Sequence, residues 1–297
     1  MTIRRITYMR SIVKLTAGFL AAICALSWVG VTAAGTLPSD SSGAGPLNGV
    51  KAQHWMPPHR PMAKTPKLPG STAAIVTETG PLKGIETATQ DEFLGIPYAA
   101  PPVGSLRWQP PKPPARFNGV FEATQLGNFC TQPDGLGGTF GDEDCLTLNV
   151  YRPHQMKNAN KKGGVPVMVW IHGGGLVTGG SAFYDPTPIV QIGGVIVVTI
   201  NYRLGYLGFF AHPALDSEGH LAGNYGLMDQ QFGLNWVQNN IAAFGGDTTR
   251  VTIFGESAGG QSVYDNLASP LAAGLFSGAI AEDRTPVLHL SFSRLSR

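Results

Sequence analysis

The stretch that decides the fold is VTIFGESAGG, residues 251–260. Its apolar, β-branched first half predicts a buried strand, and the glycines on either side of Ser257 permit a tight turn into a helix. A serine in such a turn is either an ordinary turn residue or a nucleophile whose Oγ projects above a sheet. The pattern is short enough to arise by chance, so the surrounding sequence has to decide between these interpretations.

Upstream segments predict the sheet and helices that such a turn requires. Two nearly continuous apolar runs, VPVMVWIH (165–172) and GVIVVTIN (194–201), are typical of strands covered on both faces. The segment 225–244, YGLMDQQFGLNWVQNNIAAF, predicts a helix because its apolar residues recur at near-helical spacing. Strand, helix, strand, sharp turn and helix is the order of an α/β fold. We therefore predict a mostly parallel central sheet.

A second glycine-rich motif ends the first of these strands. The run WIHGGGL, residues 170–176, places three consecutive glycines where backbone N–H groups can approach a ligand without obstruction from a Cβ atom. Acyl transfer through a serine needs such donors, because attack on a carbonyl creates an oxyanion. Alone, the run is more typical of a plain glycine turn. Together with the turn at Ser257, it favours an acyl-transfer site.

The N-terminal segment, residues 1–34, predicts a signal peptide. Four basic residues precede a 17-residue apolar run, LTAGFLAAICALSWVGV, and small residues follow near Ala33. A retained membrane anchor is the alternative, although the run is at the short limit for a bilayer span. We expect cleavage, no stable membrane span afterwards, and a secreted or periplasmic protein.

Composition excludes some classes of partner and cofactor. The chain has a formal net charge of +2, and removing the four cations of residues 1–34 leaves −2, so a basic surface for nucleic acid is not expected. We find no metal-ligand cluster, dinucleotide fingerprint or phosphate loop, and therefore predict no cofactor. Residues 35–71 are rich in Pro, Gly and Ser and predict a linker, followed by a domain over 72–282.

Two cysteines remain after the predicted signal peptide, Cys130 and Cys145. An even pair in an exported chain favours a disulfide. A metal pair and a redox pair are the alternatives, but the spacing is not CxxC and no histidine cluster lies near either residue in the sequence.

Several segments together resemble the type-B carboxylesterases, the α/β-hydrolase family that includes cholinesterases and para-nitrobenzyl esterases. The resemblance covers about residues 74–282 and implies an α/β-hydrolase fold that hydrolyses small-molecule carboxylic esters through a serine acyl-enzyme. The matching segments are FLGIPYAAPPVGSLRWQPP, EDCLTLNVYRP, VMVWIHGGG, NYRLGYLGFF, GNYGLMDQQFGLNWVQNNIAAFGGD and VTIFGESAGGQSV.

The resemblance also implies individual roles at the site. Ser257 would be the nucleophile, and Gly174, Gly175 and the N–H of Ala258 would form the oxyanion hole. Glu256 would lie beside the acyl pocket and act electrostatically.

Other matching residues are expected to be architecture. Cys130 and Cys145 resemble the first disulfide of the family, and His172 is expected to shape the glycine loop. Four charged residues fall where the family places structural ion pairs, and we predict two buried pairs: Arg107 with Glu143, and Arg203 with Asp247.

The acid and the histidine that complete a triad follow the serine along the chain in this fold. After Ser257 the candidates are Asp265, Glu282, Asp283 and His289, and we expect no triad from them because Asp265 falls in the predicted helix. The resemblance ends near Glu282, and residues 283–297 form a tail outside it.

We therefore expect an N-terminal part of the fold, truncated after the turn and the next strand. As an ester hydrolase this chain would be inactive or weakly active. The alternative is a non-catalytic fragment or a binding or adhesion protein. A peptidase on the same fold fits the motifs less well.

Overall fold

The computed structural model describes residues 70–154, 164–220 and 223–283. The predicted signal peptide, residues 35–69 of the predicted linker and the tail from residue 284 lie outside the described residues. The strands are β1 Gly70–Ser71, β2 Ile75–Thr77, β3 Gly80–Lys83, β4 Ile85–Glu86, β5 Gln90–Pro97, β6 Phe121–Glu122, β7 Gln132–Pro133, β8 Thr139–Phe140, β9 Thr147–Pro153, β10 Val165–Ile171, β11 Ile196–Ile200, β12 Gly246–Glu256 and β13 Gly278–Glu282. The α-helices are α1 Thr187–Gly193, α2 Gly205–Phe209, α3 Pro213–Asp216, α4 Tyr225–Asn240 and α5 Ala258–Ala268. Within these ranges no helix has the length and apolar character needed to cross a membrane.

One mixed sheet carries the fold, in the order β1-β4-β5-β9-β11-β10-β12-β13. The sheet is mixed rather than mostly parallel as predicted, and the pairs β11–β10, β10–β12 and β12–β13 around Ser257 are its parallel part. The four pairs from β1 to β11 are antiparallel. Antiparallel neighbours need only short connections, such as the three residues between β4 and β5, whereas parallel strands need a crossover.

The crossovers place the longest helix against the sheet. α4 lies between β11 and β12 in the chain, and its Leu234 and Val237 are fully buried together with Val169 and Ile253 of the sheet. A 3₁₀ turn, Ile241–Phe244, extends the helix, and Gly245 ends it in a left-handed conformation at φ 86°. The predicted segment 225–244 therefore has the expected bounds.

The connection from β12 to α5 is a single residue. β12 ends at Glu256 and α5 begins at Ala258, so Ser257 alone makes the turn, at φ 56° and ψ −120°. A Cβ atom at Gly259 would lie 2.1 Å from the carbonyl oxygen of Ile171, and one at Gly255 would lie 2.6 Å from the same oxygen. The first turn of α5 thus packs directly on the end of β10, where no side chain fits.

The loop before β9 is closed by a disulfide. Cys130 and Cys145 are bonded, as the sequence favoured. Beside it Arg107 and Glu143 form the predicted ion pair, with Nε donating to Oε2 at 2.6 Å. This pair lies at the surface rather than in the interior, since the two side chains are 42% and 22% exposed.

The predicted pairing of Arg203 with Asp247 is wrong. Arg203 instead pairs with Asp229 of α4, with Nε donating to Oδ2 at 2.8 Å and Nη2 to Oδ1 at 2.7 Å. Both side chains are buried, and a buried guanidinium needs a carboxylate that is buried with it. Asp247 accepts a hydrogen bond from Arg250 Nε at 2.6 Å near the surface.

Replacing Asp229 by Asn should lower the free energy of unfolding by about 3–5 kcal/mol, because the substitution leaves the Arg203 charge buried and unpaired. The matched control, Asp247→Asn, removes an exposed ion pair and should change stability little. Urea unfolding of both variants measures the difference. Equal losses, or a larger loss in Asp247→Asn, would contradict the pairing of Arg203 with Asp229.

Gly259→Ala should lower the free energy of unfolding by about 1–3 kcal/mol, because its Cβ atom has to push α5 away from the end of β10. Gly233→Ala is the control in α4. There the nearest atom to a new Cβ is 3.6 Å away, and alanine favours a helix interior by about 1 kcal/mol over glycine. Thermal unfolding should therefore separate a destabilised variant from one that is unchanged or stabilised.

Candidate active site

Ser257 occupies a strained position at the carboxyl end of β12. Its φ of 56° is one that residues with a Cβ atom rarely adopt. Its N–H donates to the carbonyl oxygen of Glu282 in β13 at 3.2 Å, and its own carbonyl accepts from the N–H of Gln261 at 2.9 Å. The backbone on both sides of the turn is therefore fixed to neighbouring elements.

The N-terminus of α5 follows directly. Ala258 is the first helical residue, and the first N–H groups of a helix have no acceptor within it. These donors and the helix dipole make this end of α5 attractive to negative charge. The turn thus brings the hydroxyl of Ser257 next to the N–H of Ala258, which has no acceptor within its own helix.

The glycine loop after β10 reaches the same place. β10 and β12 are parallel neighbours with Ile171 in register with Gly255, so their carboxyl ends meet at one edge of the sheet. A Cβ atom at Gly173 would lie 3.3 Å from the Cβ of Ser257 and 2.7 Å from the carbonyl oxygen of Glu256. The two motifs predicted from the sequence are in contact.

Internal hydrogen bonds set the shape of this loop. Gly174 and Gly175 have φ values of 107° and 65°, which favour glycine. The carbonyl of Gly174 accepts from the N–H groups of Val177 and Thr178 at 3.1 and 2.9 Å. Among the described residues, the N–H groups of Gly174 and Gly175 donate to nothing in the chain. They are free to bind an anionic oxygen.

His172 lies at the start of the loop and is 1% exposed. Its ring stacks on Tyr202 with centroids 4.3 Å apart, and the Tyr202 hydroxyl donates to its carbonyl oxygen at 2.7 Å. Burial lowers the pKa of His172 to about 4, so the imidazole is neutral near pH 7. The ring contacts the loop and makes no hydrogen bond to Ser257.

Two carboxyl groups border the turn. Glu256 ends β12 and is in register with Glu282 of β13. Burial raises the pKa of Glu256, and the charge of Asp283 raises it further. Burial and the charge of Glu256 likewise raise the pKa of Glu282. The neighbourhood of Ser257 is therefore acidic and partly desolvated.

No base contacts Ser257 within the part of the chain that the structure describes. None of the histidines there hydrogen bonds to it: His154, His172, His212 and His220. Asp265 lies in α5, as predicted, and accepts from Gln261 Nε2 at 2.9 Å. His289 lies outside the described residues. The same ranges contain no group of three metal-ligating side chains.

Sequence reasoning missed two residues that hold the site in place. The side chain of Gln132 makes two hydrogen bonds to the far end of the loop. Its Oε1 accepts from the N–H of Gly179 at 2.8 Å, and its Nε2 donates to the Gly179 carbonyl at 2.7 Å. Gln132 and Gly179 are 47 positions apart, and no local sequence pattern predicts their contact. Asp229 did have a signal, since it is the one charged residue in the predicted helical segment 225–244.

The sequence of this chain is similar to those of known esterases. The carboxylesterase family model matches residues 71–294. Fumonisin B1 esterase of Sphingopyxis macrogoltabida is 46% identical over 216 residues, which cover 69% of this chain and 38% of that protein. Cocaine esterase of Homo sapiens is 45% identical, with 70% of this chain and 38% of that protein covered.

Solved structures give the same result. A PNB esterase superposes with a TM-score of 0.63 at 43% identity, covering 70% of this chain and 43% of its own. The Geobacillus stearothermophilus carboxylesterase EST55 at pH 6.8 superposes with a TM-score of 0.62 at 43% identity, with the same coverage. The chain spans about two fifths of the length of these relatives. Its fold is that of the α/β-hydrolases, and the chain belongs to the carboxylesterase family.

Proposed function

We propose that this chain provides the nucleophile and the oxyanion hole of a serine carboxylesterase that acts on small-molecule carboxylic esters. The observation that supports it best is the contact between the strained turn at Ser257 and a loop in which the N–H groups of Gly174 and Gly175 have no acceptor among the described residues. A serine that only made a turn would not need a loop of three glycines packed against it.

The proposed reaction follows from the positions of these groups. The Oγ of Ser257 attacks the ester carbonyl while a base removes its proton, and the carbonyl oxygen becomes an oxyanion. The N–H groups of Gly174, Gly175 and Ala258 donate to that oxyanion, and the positive end of α5 adds to its stabilisation. The alcohol leaves with a proton from the base, and water then hydrolyses the acyl-enzyme.

Glu256 acts electrostatically in this proposal. Its carboxylate lies beside the turn, where a Cβ atom at Gly173 would be 3.2 Å from Oε2. A negative charge there stabilises a base that becomes positive when it takes the proton from Ser257.

The base itself has to come from outside the described residues. In triad enzymes, loss of the base costs about 10⁶ in rate, whereas an oxyanion hole and binding site alone retain about 10³ to 10⁴ over water. We therefore expect the described part by itself to hydrolyse esters only slowly.

Export is also part of the proposal. Residues 1–34 would direct the chain to an oxidising compartment, and the disulfide between Cys130 and Cys145 is a bond that persists in such compartments.

A non-catalytic, carboxylesterase-like binding protein is the second candidate. It is favoured by one observation, the lack of a histidine hydrogen-bonded to Ser257 among the described residues. The reactivity of Ser257 separates the two candidates, because only an activated serine reacts with an organophosphonate.

A fluorophosphonate probe should label the folded chain slowly, up to about one equivalent, with the label on the peptide that contains Ser257. Ser257→Ala should abolish the label. Ser277→Ala, which alters an exposed serine ahead of β13, should label as the wild type does. Intact-protein and peptide mass spectrometry measure both. A folded wild-type chain that stays unlabelled would contradict the esterase and favour the binding protein.

A further inference from the structure

His172 makes one side-chain hydrogen bond that bears on the glycine loop. Its Nδ1 lies 2.8 Å from the carbonyl oxygen of Gly173. A carbonyl oxygen can only accept, so Nδ1 must carry the proton of the neutral ring. The lowered pKa of about 4 is consistent with that neutral state.

The direction of this bond fixes the direction of a second group. The carbonyl of Gly173 and the N–H of Gly174 belong to one peptide unit, and in a planar trans peptide they point in opposite directions. Holding the carbonyl oxygen toward His172 therefore turns the Gly174 N–H away from it. Glycines on both sides of this unit lack a Cβ atom to resist rotation, so the hydrogen bond supplies the restraint.

The next peptide unit is held differently. The carbonyl of Gly174 accepts from the backbone N–H groups of Val177 and Thr178 at 3.1 and 2.9 Å, and the Thr178 hydroxyl adds a third hydrogen bond at 3.2 Å. The N–H of Gly175 is therefore fixed mainly by backbone donors. Of the two carbonyls, only that of Gly173 is held by a side-chain donor alone among the described residues.

The His172 ring is itself locked. Its stacking on Tyr202 is nearly parallel, with an interplanar angle of 17°. A Cβ atom at Gly179 would lie 2.4 Å from Nδ1, so the loop also packs tightly against this edge of the ring. A ring held in this way has one position from which to donate.

We propose that His172 is a positioning residue of the oxyanion hole, whose Nδ1–H holds the Gly173–Gly174 peptide so that the Gly174 N–H faces the oxyanion. The inference rests on the proposed esterase function. The bond also polarises the peptide unit, which strengthens the Gly174 N–H as a donor.

Two substitutions separate positioning from packing. His172→Phe keeps an aromatic ring on Tyr202 and removes the donor. His172→Asn gives up the stacking but places an amide N–H near the position of Nδ1. His212→Phe is the matched control, because it removes an exposed histidine at the start of α3. The full chain is used throughout, with the fluorophosphonate as probe.

The labelling rate constant at saturating probe should fall about 100-fold in His172→Phe, the scale on which an oxyanion donor acts. The probe concentration at half-saturation should stay unchanged. His172→Asn should recover most of the rate, although it packs less well, and His212→Phe should match the wild type. The proposal would be overturned if His172→Phe were labelled at the wild-type rate, or if His172→Asn were as slow as His172→Phe. It would also be overturned if only the probe concentration at half-saturation changed.

A measurement on the unreacted protein tests the role of His172 independently of the proposed esterase function. The Gly173 carbonyl ¹³C and Gly174 amide ¹⁵N resonances should move in His172→Phe and return toward wild-type values in His172→Asn. An unlabelled wild type would contradict the proposed function, whereas unmoved resonances in His172→Phe would overturn the role of His172.

Discussion

The structure depends on a close approach between the end of β10 and the first turn of α5. With the Cβ position of Gly259 2.1 Å from the carbonyl oxygen of Ile171, the helix begins almost in contact with the sheet. That leaves one residue to reverse the chain, and Ser257 takes a positive φ to do so. Such a conformation costs about 1–3 kcal/mol and persists only where its surroundings determine it. Here the hydrogen bonds of Ser257 to β13 and α5, together with the buried strands, provide that determination.

The close packing of β10 against α5 also explains why two motifs more than 80 positions apart in the chain, at Gly174 and Ser257, lie side by side. Parallel neighbours end at the same edge, so the loop after β10 and the turn after β12 are adjacent once Ile171 and Gly255 are in register. Local patterns were sufficient to predict this much, because strand periodicity, glycine placement and chain order all pointed to the same arrangement. The bounds of α4 were predictable from the helical spacing of its apolar residues, and the disulfide from an even pair of cysteines in a chain expected to be exported.

What the sequence did not predict depends on tertiary contacts. Two acids were available to Arg203, and only the packing of α4 shows that Asp229 is buried with it while Asp247 turns toward Arg250. The antiparallel half of the sheet was also missed, because short apolar strands look alike whichever way their neighbours run. No local sequence pattern predicts the hydrogen bond between Gln132 and Gly179.

The backbone donors of the candidate site and the acid–base groups of the proposed mechanism come from different parts of the chain. The N–H groups of Gly174, Gly175 and Ala258 are oriented by hydrogen bonds and helix geometry within the described residues, before any ligand is present. Oriented dipoles of this kind need no reorganisation when charge develops on a bound oxygen, which is the main source of their effect. The base of the proposed mechanism, by contrast, has to come from residues outside that region. In the proposed function, the described part of this carboxylesterase-family chain is therefore a preformed anion site built around a strained serine.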